Sequence, residues 1–148
     1  LDVGDAVEDD DEFVTAHAAA HLDDWTAIAA LRDDLERRLL AAVPLAVVHG
    51  ACAPRLPNTS MIGLAGVAGE TQVMAMDLAG FAVSSGAACS SGKVKASHVL
   101  AAMGVAAAGD AIRISLGRDT SQADIDVFAA AWTAFAARAL SRRVGLAA

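Results

Sequence analysis

The chain has 148 residues, enough for one domain, which would bury roughly two thirds of its unfolded surface. Hydrophobic residues make up 55% of it, but no apolar run approaches the ~20 residues of a membrane-spanning helix. The formal net charge of -7 gives no electrostatic support for a nucleic-acid partner. The first residues have neither the basic start nor the apolar core of a secretion signal. These features predict a cytoplasmic protein with no membrane partner.

The N-terminal region divides into an acidic stretch and a long helix. Residues 1–11 are acidic and non-periodic, which predicts a tail or the remnant of an upstream connection, and the domain is expected over residues 12–148. From Glu12 to Val43 the pattern is helical, and Pro44 ends it. Apolar residues recur there at three- and four-residue steps: Trp25, Ile28, Leu31, Leu35 and Leu39.

Strands and helices alternate over the rest of the chain. Four short strands are predicted, at Leu45–His49, Thr59–Leu64, Phe81–Ser84 and Ala111–Leu116. The stretch GETQVMAMDLAG predicts a helix closed by Gly80, Ser97 is the expected N-cap of a short helix, and Thr120 or Ser121 caps the last one. Apolar residues at helical spacing mark this last helix: Ile125, Phe128, Trp132, Phe135 and Leu140. Four strands between two long helices predict a layered domain of the α+β or α/β class.

Two superficial motifs do not indicate a binding site. Between Gly86 and Gly92 there are five residues where a phosphate-binding loop needs four, and Val94 stands where that loop has serine or threonine. His17 and His21 are four residues apart on the first helix, but a third convergent ligand is missing, so no metal site is expected.

Three isolated side chains have ordinary explanations. His49 and His98 each stand alone, as hydrogen-bonded surface or core histidines. Cys52 lies between alanines in a turn-rich connection, so it is a small apolar filler or an incidental thiol.

Cys89 has a different setting, in the segment SSGAACSSG. Its small neighbours permit backbone movement, and Lys93 and Lys95 favour the thiolate electrostatically. Either a nucleophile or an ordinary flexible loop accounts for this composition.

Several separated motifs, in order and in register, resemble the C-terminal part of cysteine desulfurases of the NifS/IscS-like class. They are RLPNTS, GVAGE, FAVSSGAACSSG, SHVLAAMG and IRISLGRDTSQADID. The resemblance implies an α+β fold, namely the small C-terminal domain of a transferase that depends on pyridoxal phosphate. It also implies a reaction in which L-cysteine becomes L-alanine and the sulfur is left as a persulfide on an enzyme cysteine.

The resemblance also assigns roles to particular residues. Cys89 matches the nucleophile that receives the sulfur, and Arg113 matches the arginine that binds the substrate carboxylate. Asn58 is expected to stabilise a turn rather than to take part in chemistry. The implied partners of the complete enzyme are a persulfide acceptor, such as an iron–sulfur scaffold protein, and a second copy of the enzyme.

The family's Schiff-base lysine has no counterpart here, because Lys93 and Lys95, the two lysines of this sequence, both lie in the cysteine segment. The resemblance places that lysine, with most contacts to pyridoxal phosphate, in a domain missing from this chain. The chain is therefore interpreted as a fragment that is inactive alone. Two alternatives stay open, a stand-alone sulfur-carrier or partner-binding module without cofactor chemistry, and a nonfunctional gene fragment.

Overall fold

The computed structural model describes residues 22–86 and 97–146. Two long helices enclose four strands and two shorter helices, which confirms the α+β class predicted from the sequence. In chain order the elements are α1 (Leu22–Ala42), β1 (Ala46–Val48), β2 (Thr59–Leu64), α2 (Gly69–Leu78), β3 (Ser84–Ser85), α3 (His98–Ala102), β4 (Ala111–Ser115) and α4 (Gln122–Leu146).

The four strands form one sheet in the order β1-β2-β4-β3, and every neighbouring pair is antiparallel. The central pair, β2 with β4, is the longest, and Met61 lies opposite Arg113 in it. On the other side of β4, Ser84 of β3 also lies opposite Arg113. Because side chains alternate across a strand, these three residues point to the same face of the sheet.

The opposite face of the sheet carries the main hydrophobic core. Ile62 and Leu64 of β2 and Ile112 and Ile114 of β4 are buried there. They pack with apolar residues of the helices, including the fully buried Trp132 of α4. On the Arg113 face, a smaller cluster joins Leu100, Ala108 and Ala111, with Met61 packed against it. Strand alternation therefore separates the core from the face that carries Arg113.

The predicted helix ends agree closely with the structure. Helix α1 ends at Ala42, two residues before Pro44, and its predicted beginning over residues 12–21 lies outside the described residues. After α2, Gly80 has a φ of 87°, the left-handed conformation that favours glycine at a helix end. Ser97 caps α3 as expected, because its side chain accepts a hydrogen bond from the N–H of Leu100.

The predicted strand Phe81–Ser84 is wrong in its position, since β3 comprises Ser84 and Ser85 alone. The Phe81 ring packs edge-on against Phe128 of α4, with ring centroids 5.1 Å apart. The contact between Phe81 and Phe128 lies on the helix side of the sheet. On that side, residues 81–83 diverge from the end of β4. A cavity of about 140 Å³ lies between them. Residues 81–83 therefore pack toward the helices and do not extend β3.

The apolar stripe predicted for α1 is also partly wrong. Ile28, Leu35 and Leu39 are buried, but Trp25 is 37% exposed. Trp25 instead lines a surface groove with Leu56 and Pro57. Within the described residues, no helix is both long enough and apolar enough to cross a membrane.

Helix α4 begins with a reciprocal cap between Ser121 and Asp124. The Ser121 hydroxyl accepts from the N–H of Asp124 at 3.3 Å, and the Asp124 carboxylate accepts from the Ser121 N–H at 2.8 Å. The Ser121 hydroxyl also donates to that carboxylate at 2.6 Å. These hydrogen bonds from Ser121 hold the pKa of Asp124 below its ordinary value.

Replacing Ser121 by alanine should lower the free energy of unfolding by about 1 kcal/mol, because the first turn of α4 loses its cap. The pKa of Asp124 should rise towards its ordinary value, as measured by carboxyl-carbon NMR titration. The folded-state pKa is the lower one, so the contribution of this carboxylate to stability is present above the unfolded-state pKa. It is lost as the pH falls through the folded-state pKa.

Ser141→Ala, on the exposed side of the same helix, is the control and should leave the titration of Asp124 unchanged. An Asp124 pKa that is the same in wild type and Ser121→Ala would contradict the assigned cause.

Candidate functional site

Arg113 lies in the middle of β4, on the face of the sheet away from the main core. It is exposed, and Met61 and Ser84 lie directly opposite it on the two neighbouring strands. Opposed residues of antiparallel strands have Cβ atoms about 5 Å apart, so the base of the arginine side chain lies between these two. In the described part of the chain, its guanidinium forms no hydrogen bond and no ion pair. Among the described residues, Arg113 is therefore a cation without a bound acid, and it lies on a strand that is paired on both sides.

The segment that carries Cys89 joins the described structure at Gly86 and at Ser97. On the first side, Ser85 pairs with Ile112 of β4. On the second, the Ser97 N–H donates to the carbonyl of Ala108 at 3.2 Å, just before β4 begins. Both ends of the segment are thus held beside the strand that carries Arg113. Cys89, Lys93 and Lys95 themselves lie outside the described residues.

Asn58 connects the start of β2 to the end of β4. Its side-chain amide donates to the carbonyl of Leu116 at 3.2 Å, and the Leu116 N–H donates to the Asn58 carbonyl at 2.8 Å. The Asn58 side-chain oxygen also accepts from the hydroxyl of Thr59. These bonds support the turn-stabilising role expected from the sequence, because they close the β2–β4 ladder at one end.

An ion pair that the sequence did not suggest fixes the turn before β2. The two terminal guanidinium nitrogens of Arg55 donate to the carboxylate of the buried Glu36 on α1, at 2.5 and 2.7 Å. This hydrogen bonding raises the pKa of Arg55 above its ordinary value. Arg32, one turn earlier on α1, donates to the carbonyl of Leu56 at 2.7 Å. Helix α1 therefore holds the connection that leads into the central strand.

A second unpredicted element is the buried side chain of Gln72 in α2. Its amide nitrogen donates to the carbonyls of Val67 and Asp110, at 2.9 and 3.0 Å, and its oxygen accepts from the Trp132 indole at 3.2 Å. The Asp110 carbonyl also accepts from the N–H of Leu64, the last residue of β2. Gln72 therefore joins α2 and α4 to the residue immediately before β4. The sequence offered one sign of this role. Gln72 lies one turn before Met76, so both residues are on the buried face of α2.

The other residues considered from the sequence do not form a site in the described structure. His49 is half-buried, which lowers its pKa, and its ring occupies the space that a side chain at Gly63 would need. His98 is exposed. Cys52 is also exposed, so of the two expectations for it, that of an apolar filler is wrong.

Metal ligands do not cluster in the described structure either. Among residues 22–86 and 97–146, no group of three or more histidine, cysteine or acidic residues could hold a metal ion. His17 and His21 lie outside these ranges.

Comparison with known proteins gives consistent similarities. The Aminotransferase class-V family profile matches residues 15–128. A cysteine desulfurase of Cereibacter sphaeroides is 50% identical over 105 residues, which is 70% of this chain and 27% of that protein. The cysteine desulfurase NifS of Azotobacter vinelandii is 44% identical over 103 residues, covering 68% of this chain and 26% of that protein. The chain thus spans only about a quarter of the length of these curated relatives.

Solved structures agree with the sequence comparison. The NifS-like protein of Rickettsia africae superposes on this chain with a TM-score of 0.62 at 31% identity, over 73% of this chain and 28% of that one. A second NifS-like protein gives a TM-score of 0.64 at 27% identity, over 80% of this chain and 30% of the other.

Replacing Gln72 by methionine, which is similar in size and shape, should lower the free energy of unfolding by about 2–4 kcal/mol. The Trp132 indole loses its acceptor, and the Val67 and Asp110 carbonyls lose a donor inside the core. Urea denaturation followed by circular dichroism measures the change.

The matched control for this measurement is Gln122→Met. Gln122 is exposed and bonds only to surface carboxylates, so its replacement should cost less than about 0.5 kcal/mol. Equal effects of the two substitutions would show that the buried amide does not hold these elements together.

Proposed function

The chain belongs to the aminotransferase class V family, and we propose that within it the chain is part of a cysteine desulfurase. Residues 12–148 would form the small C-terminal domain of that enzyme, and residues 1–11 an acidic tail or connection. The relatives named cysteine desulfurase support this proposal, as does the geometry around β4. The main structural support is that β3, which leads into the Cys89 segment, pairs directly with Arg113.

The proposed reaction transfers one sulfur atom. L-cysteine and the thiol of Cys89 give L-alanine and a persulfide on Cys89. The carbon–sulfur bond of the substrate breaks and a sulfur–sulfur bond forms. The substrate carbon is reduced while the sulfur is oxidised, so no external oxidant or reductant is required.

Arg113 would bind the carboxylate of L-cysteine. A guanidinium offers two parallel N–H donors that match the two oxygens of a carboxylate. Two properties of Arg113 suit this role, namely its exposure and the absence of a competing acid within the described residues. Its position on a paired strand, rather than on a loop, would keep the bound substrate in a defined orientation.

Cys89 would receive the sulfur as a thiolate nucleophile. Cys89 comes five positions after Ser84, and a fully extended chain of that length spans at most about 18 Å. Cys89 is thus tethered close to the strand that carries Arg113. Lys93 and Lys95 would favour its thiolate form, and the small residues around it would let it carry the sulfur to an acceptor.

The cofactor expected for this family does not fit the residues described here. Pyridoxal phosphate requires a lysine amine, and residues 22–86 and 97–146 contain no lysine. The chain's two lysines both lie in the Cys89 segment, where their proposed role is electrostatic. In this proposal the lysine and most cofactor contacts come from a separate domain of the complete enzyme, where the cofactor acts as the electron sink.

The complete enzyme would act as a homodimer in the cytoplasm and pass its persulfide sulfur to an acceptor such as an iron–sulfur scaffold protein. A second candidate is a sulfur carrier without cofactor chemistry, which is favoured by the absence of lysine from the described residues. Reading the coding sequence upstream of Leu1 distinguishes them, since only the first candidate needs a lysine-bearing domain in frame.

In the complete enzyme, Arg113→Lys should raise the KM for L-cysteine by about ten- to a hundredfold, because a point charge replaces a two-pronged donor. Initial rates of alanine formation measure this effect. The matched control is Arg37→Lys on α1, an exposed arginine paired with Asp34, and its KM should be unchanged. A normal KM in Arg113→Lys would contradict the assignment of the carboxylate ligand.

Cys89→Ala should abolish sulfide release in the presence of a reductant while leaving the visible absorbance of the bound cofactor intact. The reason is that the substrate sulfur then has no thiolate to receive it. Cys52→Ala, which removes the exposed thiol in the turn before β2, is the control and should retain full activity. Normal sulfide release by Cys89→Ala would refute the nucleophile.

A further inference from the structure

A cleft separate from the Arg113 face lies between the first turn of α2 and the C-terminal half of α4. It encloses about 420 Å³. Its lining includes Gly66, Thr71, Phe135, Arg138, Arg142 and Arg143. Three arginines therefore meet at one opening with an apolar floor.

The geometry of α4 directs two of these arginines into the cleft. Phe135, Arg138 and Arg142 are spaced three and four residues apart, so they share one side of the helix. Arg138 and Arg142 are exposed, and neither guanidinium bonds to any acid in the described structure. Residues 127–148 contain three arginines and no acidic residue, although the whole chain is strongly acidic.

The third arginine, Arg143, is fixed by the turn that precedes α2. Its guanidinium donates to the carbonyl of Ala65 at 2.6 Å and lies over Gly66. Gly66 has a φ of 78°, and a side chain at this position would overlap the guanidinium. The absence of a side chain at Gly66 therefore leaves space for the Arg143 guanidinium. This cation is held in place before any ligand arrives.

Helix α2 adds a weaker positive contribution from its N-terminus. Its N-cap residue, Ala68, makes no side-chain hydrogen bond to the first turn, and Thr71 of that turn lines the cleft. Two carboxylates lie nearby, since Asp110 accepts from the Gly66 N–H at 2.6 Å and Glu70 lies in the first turn of α2. Neither forms an ion pair with the three arginines in the described structure.

We propose that this cleft binds the phosphoryl group of a small molecule. Guanidinium groups from two adjacent turns of α4 converge there, and planar two-pronged donors suit phosphate oxygens. The apolar floor, with Phe135 and Ala139, would contact the organic body of a phosphate ester. The cleft lies on the helix side of the sheet, away from the face that carries Arg113.

Isothermal titration calorimetry in low-salt chloride buffer tests the proposal on the full chain. Inorganic phosphate and adenosine monophosphate are the two probes, and acetate is the monovalent comparison. Saturable binding of either phosphate probe with one site per chain is expected, and acetate should bind at least about tenfold more weakly. Tighter binding of the nucleotide would identify an ester as the ligand, whereas equal binding would identify the phosphoryl group alone.

The double variant Arg138→Gln with Arg142→Gln should weaken phosphate binding by at least about tenfold, because two charge-assisted hydrogen bonds are lost. Both side chains are exposed, so circular dichroism should show an unchanged fold. The control is Arg37→Gln, which removes an arginine charge from α1 and should keep wild-type affinity. The proposal is overturned by no saturable binding in the wild type, or by unchanged affinity in the double variant.

Discussion

The arrangement of this domain depends on the hydrogen bonds of the Gln72 side-chain amide. It is fully buried, and each of its three hydrogen bonds reaches a different part of the fold. Its bond to the Asp110 carbonyl fixes the chain at the point where β4 begins, and its bond to Trp132 attaches α4 to α2. A polar group inside a core costs free energy unless all its partners are present. The amide therefore favours one alignment of β4, since a shifted strand would leave it unsatisfied.

That alignment determines which residues of β4 face away from the core. The side-chain period of a strand is two, so a slip of one residue would turn Arg113 inward and both Ile112 and Ile114 outward. Burial of the two isoleucines on the helix side thus has the same cause as the exposure of Arg113. Core packing and site geometry in β4 are consequences of a single register.

Much of the fold could be predicted from local sequence patterns. The strand Thr59–Leu64 and the caps at Ser97 and Ser121 agree with the structure, because β-branched runs and cap residues act over a few residues. The position of β3 was mispredicted because residues 81–83 pack toward the helices, where the Phe81 ring contacts the distant Phe128, and do not pair with β4. Neither strand propensity nor the alternation of apolar and polar residues indicates a contact between residues so far apart in the sequence.

The candidate site shows the same limit. Arg113 and Cys89 came from short motifs and from resemblance to a family, and the structure adds the pairing of Ser84 with Arg113. The Arg55–Glu36 pair and the Gln72 bonds were not predicted. Each joins residues far apart in the chain, and a single arginine, glutamate or glutamine carries no sign of its partner.

The two edges of the sheet affect how separate molecules meet. β1 has three residues and β3 has two, so each edge offers few backbone groups to a strand from another molecule. Long, flat edges are the usual template for intermolecular β-pairing, and Pro44 further limits pairing beside β1. In a longer edge strand, the exposed apolar side chains of Leu45 and Val47 would favour association with another molecule. Brevity of the outer strands thus protects this domain against aggregation through its sheet.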